Sequence, residues 1–462
     1  MYKTISQVMN SHIQYIELYR QYQTLLDGGS CAVMNAARAQ AATLLEEQGL
    51  PTRKEERYKY TSAAAAFEPD FGLNLKRLVG HTDPYQTYRC SVPNLSTALF
   101  FVVNDVPYPA SEAAKAQLQQ GVTVDSFRNM AASRPELLEK YYNRAAATDR
   151  DFKHGHDGVT LLNTLLAQDG LVVYIPEGVT LTTPIQIVNV ASAHADFMSV
   201  RRVLIVAERG SRASVLFCDH ADSSHKYLST QVAEVYIEDD AEMDIYTIEE
   251  TTAQNTRFST IYVEQADRTK FSYDGVTLLS GVSRNRLDVR LKGKDSRAEL
   301  YGAVIADGEQ RVDNNIIVEH LAPQCTSEML YKYVLDGQSM AAFAGKVYVA
   351  PGAQKTESLQ TNANLCASPQ AHAYSQPMLE VYADDVKCDH GSTVGKLDQN
   401  AMLYMRQRGI PKNEARLLLQ HAFINDVLRH VQIENIHDRL CALIDQRFRG
   451  DLKKCKTCSF CK

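Results

Sequence analysis

The sequence predicts a mainly β protein whose core is a parallel β-helix, with helical segments before and after it. Short β-rich runs recur through the middle of the chain, and one apolar residue from each run marks the repeat. The separations are 26, 28, 27 and 29 residues between Ile237, Val263, Leu291, Val318 and Val347. Such a near-constant period is typical of a β-solenoid, because one coil cannot bury its apolar face alone and stacked coils share a continuous core.

A second short strand often follows each run after a polar turn, as in residues 243–246 and 270–273. Two strands per repeat favour the β-helix over a β-sandwich with chance regularity, which the pattern alone leaves open. We expect the β-helix to run from about residue 165 to 395, with coils of roughly 26 to 29 residues. The predicted units are an N-terminal helical or mixed domain, the β-helix core, a C-terminal helical domain and a cysteine-rich tail, at residues 1–160, 161–396, 397–450 and 451–462.

The predicted helices lie towards the two ends of the chain. Residues 1 to about 60 have helical character, including an Ala-rich stretch. After the β-rich region, Asp398 suits a helix N-cap, Gly409 the position after a helix, and Pro411 the start of the next helix. A wide apolar stripe follows at helical spacing, part of which can pack on the β-helix while the rest docks a partner. It comprises Leu417, Leu418, Ala422, Phe423, Val427, Leu428, Ile436, Leu440, Leu443 and Ile444.

The bulk composition argues against several classes of protein. The net charge of −6, from 49 basic and 55 acidic residues, makes nucleic acid and anionic membrane surfaces poor candidates as main partners. No apolar stretch approaches the ~18 residues of a membrane span, and the N-terminus lacks the apolar core of a secretion signal. Most of the ten cysteines are isolated in the sequence, as buried small hydrophobes are. We therefore expect a cytoplasmic protein in a reducing compartment.

One segment, DDVKCDHGSTVGKLDQNAMLYMRQR at residues 384–408, carries the strongest chemical signal. Cys388 and His390 lie two residues apart in a predicted strand, so their side chains share one face while Asp389 points the other way. A thiol and an imidazole can hold part of a metal site, but two ligands cannot fill a tetrahedral shell. Any metal bound by Cys388 and His390 would need further ligands from elsewhere in the fold or from another chain.

The sequence contains no evident catalytic machinery of its own. Residues 391–397 resemble a phosphate-binding loop but have three residues between the glycines instead of four, and Leu follows the Lys. A β-helix enzyme acting on carbohydrate, an alternative from another class, would need carboxylates converging on one face. Its candidates, Asp239, Asp240, Asp295 and Asp307, lie in predicted turns instead. We expect a non-enzyme, with any ATP chemistry supplied by a partner.

The C-terminal segment contains Cys455, Cys458 and Cys461 in a C-x2-C-x2-C pattern. This is the spacing of the first three ligands of a ferredoxin-type run, without the fourth. Three interpretations stay open: a labile metal or cluster site, a redox-reactive segment, or a segment without a role. A closed site would need a fourth ligand such as a water, a second chain's thiol or Cys441.

Several motifs together resemble the SufB/SufD family of iron–sulfur cluster assembly proteins, and its SufD branch in particular. The resemblance extends over most of residues 45–445, although the family usually has Trp where Tyr58 stands. KCDHGSTVG at residues 387–395 looks like the SufD form of the family signature, whereas SufB has an acidic residue after the His. The supporting motifs lie at residues 50–54, 56–61, 343–347, 353–356, 362–365 and 377–381.

This resemblance implies a right-handed parallel β-helix that pairs with a SufB-like subunit, and a C-terminal helical domain that docks a SufC-like ATPase. His390 matches the SufD residue implicated at the subunit interface, where a SufB thiolate supplies another ligand. ATP-driven dimerisation of the ATPase would strain that interface and expose the assembly site. The resemblance implies no tightly bound cofactor, only a transient iron–sulfur cluster or iron, and leaves flavin binding undecided. A homodimer of the isolated chain and the SufB-type primary scaffold role are alternatives.

Overall fold

The structure is a computed structural model, and it describes residues 11–77, 83–87, 96–118, 121–147, 151–152, 155–192, 195–221 and 225–450. The helices α1 to α11 are Ile13–Gly28, Ala32–Gln48, Ala63–Ala66, Pro84–Thr87, Glu112–Ala116, Phe127–Ser133, Pro135–Tyr141, Gly158–Leu166, Gln399–Gln407, Lys412–Leu428 and Glu434–Arg449. Strands β1 to β10 are Gly72–Leu73, Ala98–Val103, Val106–Pro107, Thr123–Ser126, Leu171–Ile175, Ile185–Ala191, Phe197–Ala207, Arg212–Ala221, Tyr227–Ile237 and Glu242–Glu250. Strands β11 to β20 are Asn255–Gln265, Lys270–Leu279, Val282–Leu291, Arg297–Ala306, Arg311–His320, Thr326–Leu335, Met340–Val349, Thr356–Cys366, His372–Val381 and Val386–Gly395.

Strands β5 to β20 form a β-solenoid of about 7 turns over residues 171–395, which confirms the predicted fold class. Successive strands alternate between two sheets. The odd-numbered sheet has the order β19-β17-β15-β13-β11-β9-β7-β5-β4, and the even-numbered sheet has the order β20-β18-β16-β14-β12-β10-β8-β6-β2-β3. Among strands β5 to β20, every pairing with one another is parallel. The division of the chain into units at residues 160, 396 and 450 stays a prediction.

The coils vary in length more than the sequence pattern indicates. Val282 pairs with Thr256, 26 residues earlier, whereas His372 pairs with Met340, 32 residues earlier. The apolar markers of the repeat also fall into two neighbouring columns, because Val263 pairs with Val289 rather than Leu291. Side chains alternate with a period of two, so an offset of two residues keeps a marker on the inner face. The pattern therefore identified the buried face but not the register.

One column shows how the core is built. Stacked valines from five successive odd-numbered strands pair with one another across the coils, and none is exposed to solvent. At about 25 cal/mol per Å² of buried apolar area, such columns supply the main stabilisation of the solenoid. The column consists of Val235, Val263, Val289, Val318 and Val347.

The turns from the odd- to the even-numbered sheet stack as regularly as the strands. Each of these turns from β5 to β18 contains one residue with positive φ, for example Asp240 at 62°, Asp295 at 58° and Lys355 at 58°. The amide of each such residue donates to a carbonyl in the turn of the next coil, as Asp240 does to Asp267 at 2.9 Å. This ladder aligns the turns along the solenoid axis.

Helical segments cover the outer faces of both sheets. The N-terminal helices pack on β7, β9 and β11 of the odd-numbered sheet, and α10 and α11 pack on the even-numbered sheet. The C-terminal caps are as predicted: the Asp398 side chain accepts hydrogen bonds from two amides of α9, and Gly409 follows that helix with φ of 85°. Helix α10 begins immediately after Pro411. Among the described helices, none is long and apolar enough to cross a membrane.

A buried ionic cluster connects the N-terminal segment to the β-helix. Arg57 contacts Asp151 at 2.7 Å and Asp288 at 3.2 Å. Tyr58 donates its hydroxyl proton to Asp157 at 2.9 Å. The Arg284 guanidinium lies 3.9 Å from the centre of the Tyr58 ring. Because these groups are buried, removing one partner would leave a charge uncompensated.

The close packing of neighbouring turns gives a stability prediction. A Cβ added to Gly293 would lie 2.1 Å from the backbone carbonyl carbon of Ala266, whereas one added to Gly352, in a later turn, would meet nothing within 4 Å. We expect Gly293→Ala to lower the free energy of unfolding by about 3 kcal/mol, because the backbone must shift. The control Gly352→Ala should change it by less than about 0.5 kcal/mol. Urea unfolding measures both, and equal stability of the two variants would contradict the stacking of these turns.

Candidate functional site

The two ends of the β-helix are built differently. At the first coils, the short antiparallel strands β4 and β3, of four and two residues, lie at the sheet edges. At the other end, β19 and β20 are the edge strands, each of ten residues. Along this last coil, which we call the open end, no described strand pairs with the outer edge of either sheet. Long unpaired edges are templates for pairing with another chain.

Cys388 and His390 lie in β20, at the open end. Cys388 packs against the apolar core inside the β-helix, so the face that both side chains share is the inner one. His390 is nevertheless exposed, because no described coil covers it. The two residues pair with Ser358 and Gln360 of β18. The strand geometry thus agrees with the predicted shared face, while the functional role of Cys388 and His390 stays a prediction.

The Cys388 thiol is in its protonated form at neutral pH. Partial burial raises its pKa, and the nearby charge of Asp389 raises the pKa further. Among the described residues, no group of three or more His, Cys, Asp or Glu side chains is arranged to hold a metal ion. Cys388 and His390 therefore constitute at most part of a metal site, to which another chain would add ligands. Cys455, Cys458 and Cys461 lie outside the described residues.

A buried polar chain, which the sequence reasoning missed, leads to the open end from inside the solenoid. His320 Nε2 lies 2.9 Å from Ser327 Oγ, and Ser327 Oγ lies 2.8 Å from Ser358 Oγ. Ser358 in turn is the register partner of Cys388. His320 is fully buried, and burial lowers its pKa to about 4. It is therefore neutral in the folded protein at neutral pH.

A second set of interior polar residues lies in β18, beneath His390. Neither side-chain atom of the Gln360 amide has a hydrogen-bond partner among the described residues, although both are buried. The amide crosses towards Gly345, where an added Cβ would lie 1.7 Å from its nitrogen. Asn364 donates to Asn362 at 2.7 Å and to the carbonyl of Thr393 in β20 at 3.0 Å. A sequence signal for this set was available: Gln360, Asn362 and Asn364 alternate in a β-rich run, and this alternation places their side chains on one face of the strand.

Exposed apolar side chains surround these polar groups. Leu359, Val394 and Tyr382 are 47%, 55% and 59% exposed. Tyr374 is stacked on Tyr60 of the N-terminal segment, with ring centres 4.9 Å apart. Apolar exposure at an unpaired strand edge is the pattern of an interaction surface.

The C-terminal helices present a second surface. Most of the predicted apolar stripe is buried against the even-numbered sheet, including Val427, Leu428, Ile436, Leu440, Leu443 and Ile444. Three large apolar side chains of α9 and α10 remain outside this contact: Leu403, Tyr404 and Leu418 are 55%, 57% and 43% exposed. The helices are held to the β-helix partly by Arg447, which contacts Asp307 at 2.7 Å.

The buried imidazole of His320 gives a pH-dependence prediction. Its pKa is about 4 in the folded protein and about 6.5 when unfolded. The unfolded chain therefore binds more protons between these values, and stability falls as the pH drops through them. Between pH 7 and pH 5, protonation of His320 in the unfolded chain should lower the free energy of unfolding by about 2 kcal/mol.

The variant His320→Gln keeps an amide donor near Ser327 and removes the titrating group. Between pH 7 and pH 5, we expect the free energy of unfolding of this variant to fall by about 2 kcal/mol less than that of the unchanged protein. Urea unfolding at the two pH values measures the difference. An identical pH dependence in both proteins would show that His320 is not buried in the neutral form.

Comparisons with known proteins agree with this architecture. The model of the SufBD core domain of the SUF system for FeS cluster assembly matches residues 189–423, and the model of the SufBD N-terminal region matches residues 9–187. The chain is 25% identical over 427 residues to an iron–sulfur cluster assembly SufBD family protein of Synechocystis, covering 90% of this chain and 92% of that protein. It is 26% identical over 409 residues to the iron–sulfur cluster assembly protein SufD of Escherichia coli, covering 87% and 90%.

A third relative, the iron–sulfur cluster assembly protein SufD of Bacillus subtilis, is 24% identical over 352 residues, covering 74% of this chain and 77% of that protein. The two family models together extend over the β-helix, the N-terminal segment and part of the C-terminal helices. The chain therefore belongs to the SufBD family of iron–sulfur cluster assembly proteins.

Proposed function

We propose that this chain is a SufD-type scaffold subunit of a cytoplasmic complex, which pairs with a SufB-like subunit and docks a SufC-like ATPase. The observation that carries the proposal is the difference between the two ends of the β-helix. Short antiparallel strands lie at one end, and two ten-residue edge strands with exposed apolar side chains lie at the other. The relatives named SufD favour this role over that of the SufB-type scaffold.

The open end suits pairing with a second β-helix, because this β-helix and the partner's would each present an unpaired strand edge. The backbone groups along β19 and β20 that face away from the solenoid can pair with strands of a partner coil. Residues 391–395 of β20 carry no charge and are all exposed. An uncharged edge supplies no electrostatic barrier to strand addition. In the absence of a SufB-like partner, the same edge would support a homodimer of this chain.

Within this interface, His390 would contribute one ligand to a transient cluster or iron ion, which is the cargo of assembly. An imidazole is a good iron ligand when neutral, and the partner would supply thiolates. Cys388 is a weaker candidate ligand, because its raised pKa keeps the thiol protonated until a metal displaces the proton. Separation of the two subunits would divide the ligand set and release the cargo.

The exposed apolar side chains of α9 and α10 are the proposed docking site of the ATPase. Leu403 and Tyr404 are adjacent in α9 and both more than half exposed. They lie on the C-terminal helices, on the outer face of the even-numbered sheet, so a partner bound there need not cover β20. Two separate surfaces allow one subunit to hold the scaffold partner and the ATPase at once.

A pair of variants tests the two surfaces against each other. We expect Val394→Lys to weaken co-purification with the SufB-like subunit at least tenfold, because pairing would bury an uncompensated ammonium group. It should leave the ATPase bound. Leu403→Glu should weaken co-purification with the ATPase at least tenfold, since a charge would replace an apolar contact. It should leave the SufB-like subunit bound.

Each variant is the control for the other, and both positions are exposed in the single chain. Circular dichroism and the urea midpoint verify folding. Loss of both partners from either variant, or of neither partner from both, would contradict the assignment of two separate surfaces.

The role of His390 has its own matched control on the same coil. His372, in β19, is also exposed but adjoins Ala373, which packs on the core, so its side chain faces outwards. In the reconstituted complex, His390→Ala should lower the rate of cluster formation about tenfold or more without changing the subunit ratio, because a cluster ligand is lost. His372→Ala should leave the rate unchanged. Visible absorption of the forming cluster measures both, and equal rates would rule out a ligand role for His390.

A further inference from the structure

The side-chain amide of Gln360 has no hydrogen-bond partner among the described residues, although the residue is fully buried. A buried amide that leaves both its oxygen and its nitrogen unpaired destabilises the folded chain, and such a group in a native protein calls for an explanation. Gln360 lies in β18, one coil inside the open end. The amide is therefore close to the surface proposed for the partner subunit.

The neighbours of Gln360 on adjacent strands leave few groups that could pair with its amide. On one side, its register partner in β16 is Met329, whose thioether is only a weak acceptor. Across the interior, a Cβ added to Gly345 would lie 1.7 Å from the amide nitrogen, so the amide occupies the space that a side chain would fill. On the other side, its register partner in β20 is His390. Neighbouring strands are about 4.8 Å apart, so a rotation of either side chain brings the imidazole within reach of the amide.

The polar neighbours of Gln360 along β18 already have partners. Ser358 and Asn362 lie two residues before and after it, on the same face of the strand. The Oγ atom of Ser358 lies 2.8 Å from that of Ser327, and the Asn362 amide donates to a backbone carbonyl of β16 at 3.2 Å. His390, by contrast, is exposed. Its imidazole is therefore the neighbouring group that is free to turn towards the amide of Gln360.

The chemistry of an iron-binding imidazole requires such a neighbour. A neutral imidazole that binds iron through one ring nitrogen carries a hydrogen on the other. That N–H usually donates to an oxygen, which fixes the tautomer and the orientation of the ring. Once a partner's coil covers the open end, the N–H of His390 is removed from water and needs an acceptor inside the interface. The amide oxygen of Gln360 is an uncharged acceptor at the paired position of the neighbouring strand.

We propose that Gln360 is a positioning residue for His390. In the assembled complex its amide oxygen accepts the hydrogen bond of the imidazole N–H, which turns the other ring nitrogen towards the iron. This inference rests on the proposed function, because it requires His390 to be a ligand. It also explains why an inner position carries an amide that is unpaired in the single chain, where an apolar side chain would avoid the cost.

Two substitutions change the acceptor and the stability in opposite directions. Gln360→Met removes the acceptor together with the unpaired buried amide, so its urea midpoint should equal or exceed that of the unchanged protein. In the reconstituted complex it should nevertheless lower the rate of cluster formation about tenfold or more, as loss of a ligand's outer partner does. Gln360→Glu keeps an acceptor oxygen but buries an acid, so it should lower the urea midpoint. Its rate of cluster formation should stay within about threefold of the unchanged complex. A merely structural role predicts that the rate follows the stability instead.

Two controls make the result specific. Gln376→Met is the same chemical change on the last coil, but Gln376 faces outwards, three residues after the core-facing Ala373, and its amide donates to Glu56 at 2.9 Å. It should leave the rate of cluster formation unchanged. The double variant Gln360→Met/His390→Ala should form clusters no more slowly than His390→Ala alone, because a positioning residue acts only through its ligand. Co-purification at normal subunit ratios verifies that each complex assembles.

Three outcomes would overturn the inference, and they separate it from the proposed function. A normal rate in Gln360→Met, with a slow rate in His390→Ala, would remove the positioning role and leave His390 as a ligand. A further loss of rate in the double variant would mean that Gln360 acts through the fold or through another group. A normal rate in His390→Ala would remove the ligand itself, and with it both the proposed role of His390 and the role of Gln360.

Discussion

Coil-to-coil hydrogen bonding is the constraint on which the rest of this structure depends. Each strand between the first and last coils of the solenoid pairs in parallel with the strands of the coils on either side, and the turns are hydrogen-bonded from coil to coil as well. Each coil thereby satisfies its neighbours' backbone groups, and the last coil leaves one side unpaired. Buried backbone groups must be paired, so the β20 edge has to be solvated or joined to another chain. The proposed assembly surface is a direct consequence of this arrangement.

The helical segments solve a different problem, the burial of the outer sheet faces. The N-terminal segment is fixed by packing and by the ionic cluster around Arg57, Asp157 and Asp288. The C-terminal helices pack mainly through apolar contacts and leave Leu403 and Tyr404 exposed. Because the two coverings lie on different sheets, a partner bound to the C-terminal helices need not disturb the N-terminal segment. This separation suits a subunit that holds two partners.

The interior of the β-helix holds buried polar residues as well as apolar columns. In the early coils Arg201 and Asp219 form an ion pair between the two sheets, and near the open end Ser327, Ser358 and Gln360 occupy inner positions. Unpaired buried polar groups are costly, and the Gln360 amide has no partner among the described residues. An apolar residue at position 360 would avoid this cost in the isolated chain. Polar residues beneath Cys388 and His390 are consistent with a region adapted to an assembly surface rather than to maximal stability.

The sequence by itself determined the architecture and the strand that carries the candidate site. The repeat of apolar residues is a local property of the chain, and side-chain alternation places Cys388 and His390 on one face without further information. The helix caps at Asp398 and Gly409 are local too, and both were predictable. Register was not, because Leu291 lies two residues beyond Val289, the register partner of Val263, and both positions face inwards. Only the tertiary structure decided that His390 lies on an uncovered coil and that most of the C-terminal apolar stripe is buried. It also decided that His320 is connected through Ser327 to Ser358, the register partner of Cys388. These facts depend on which coils are neighbours in space, and residues of one column lie about 30 positions apart in the sequence.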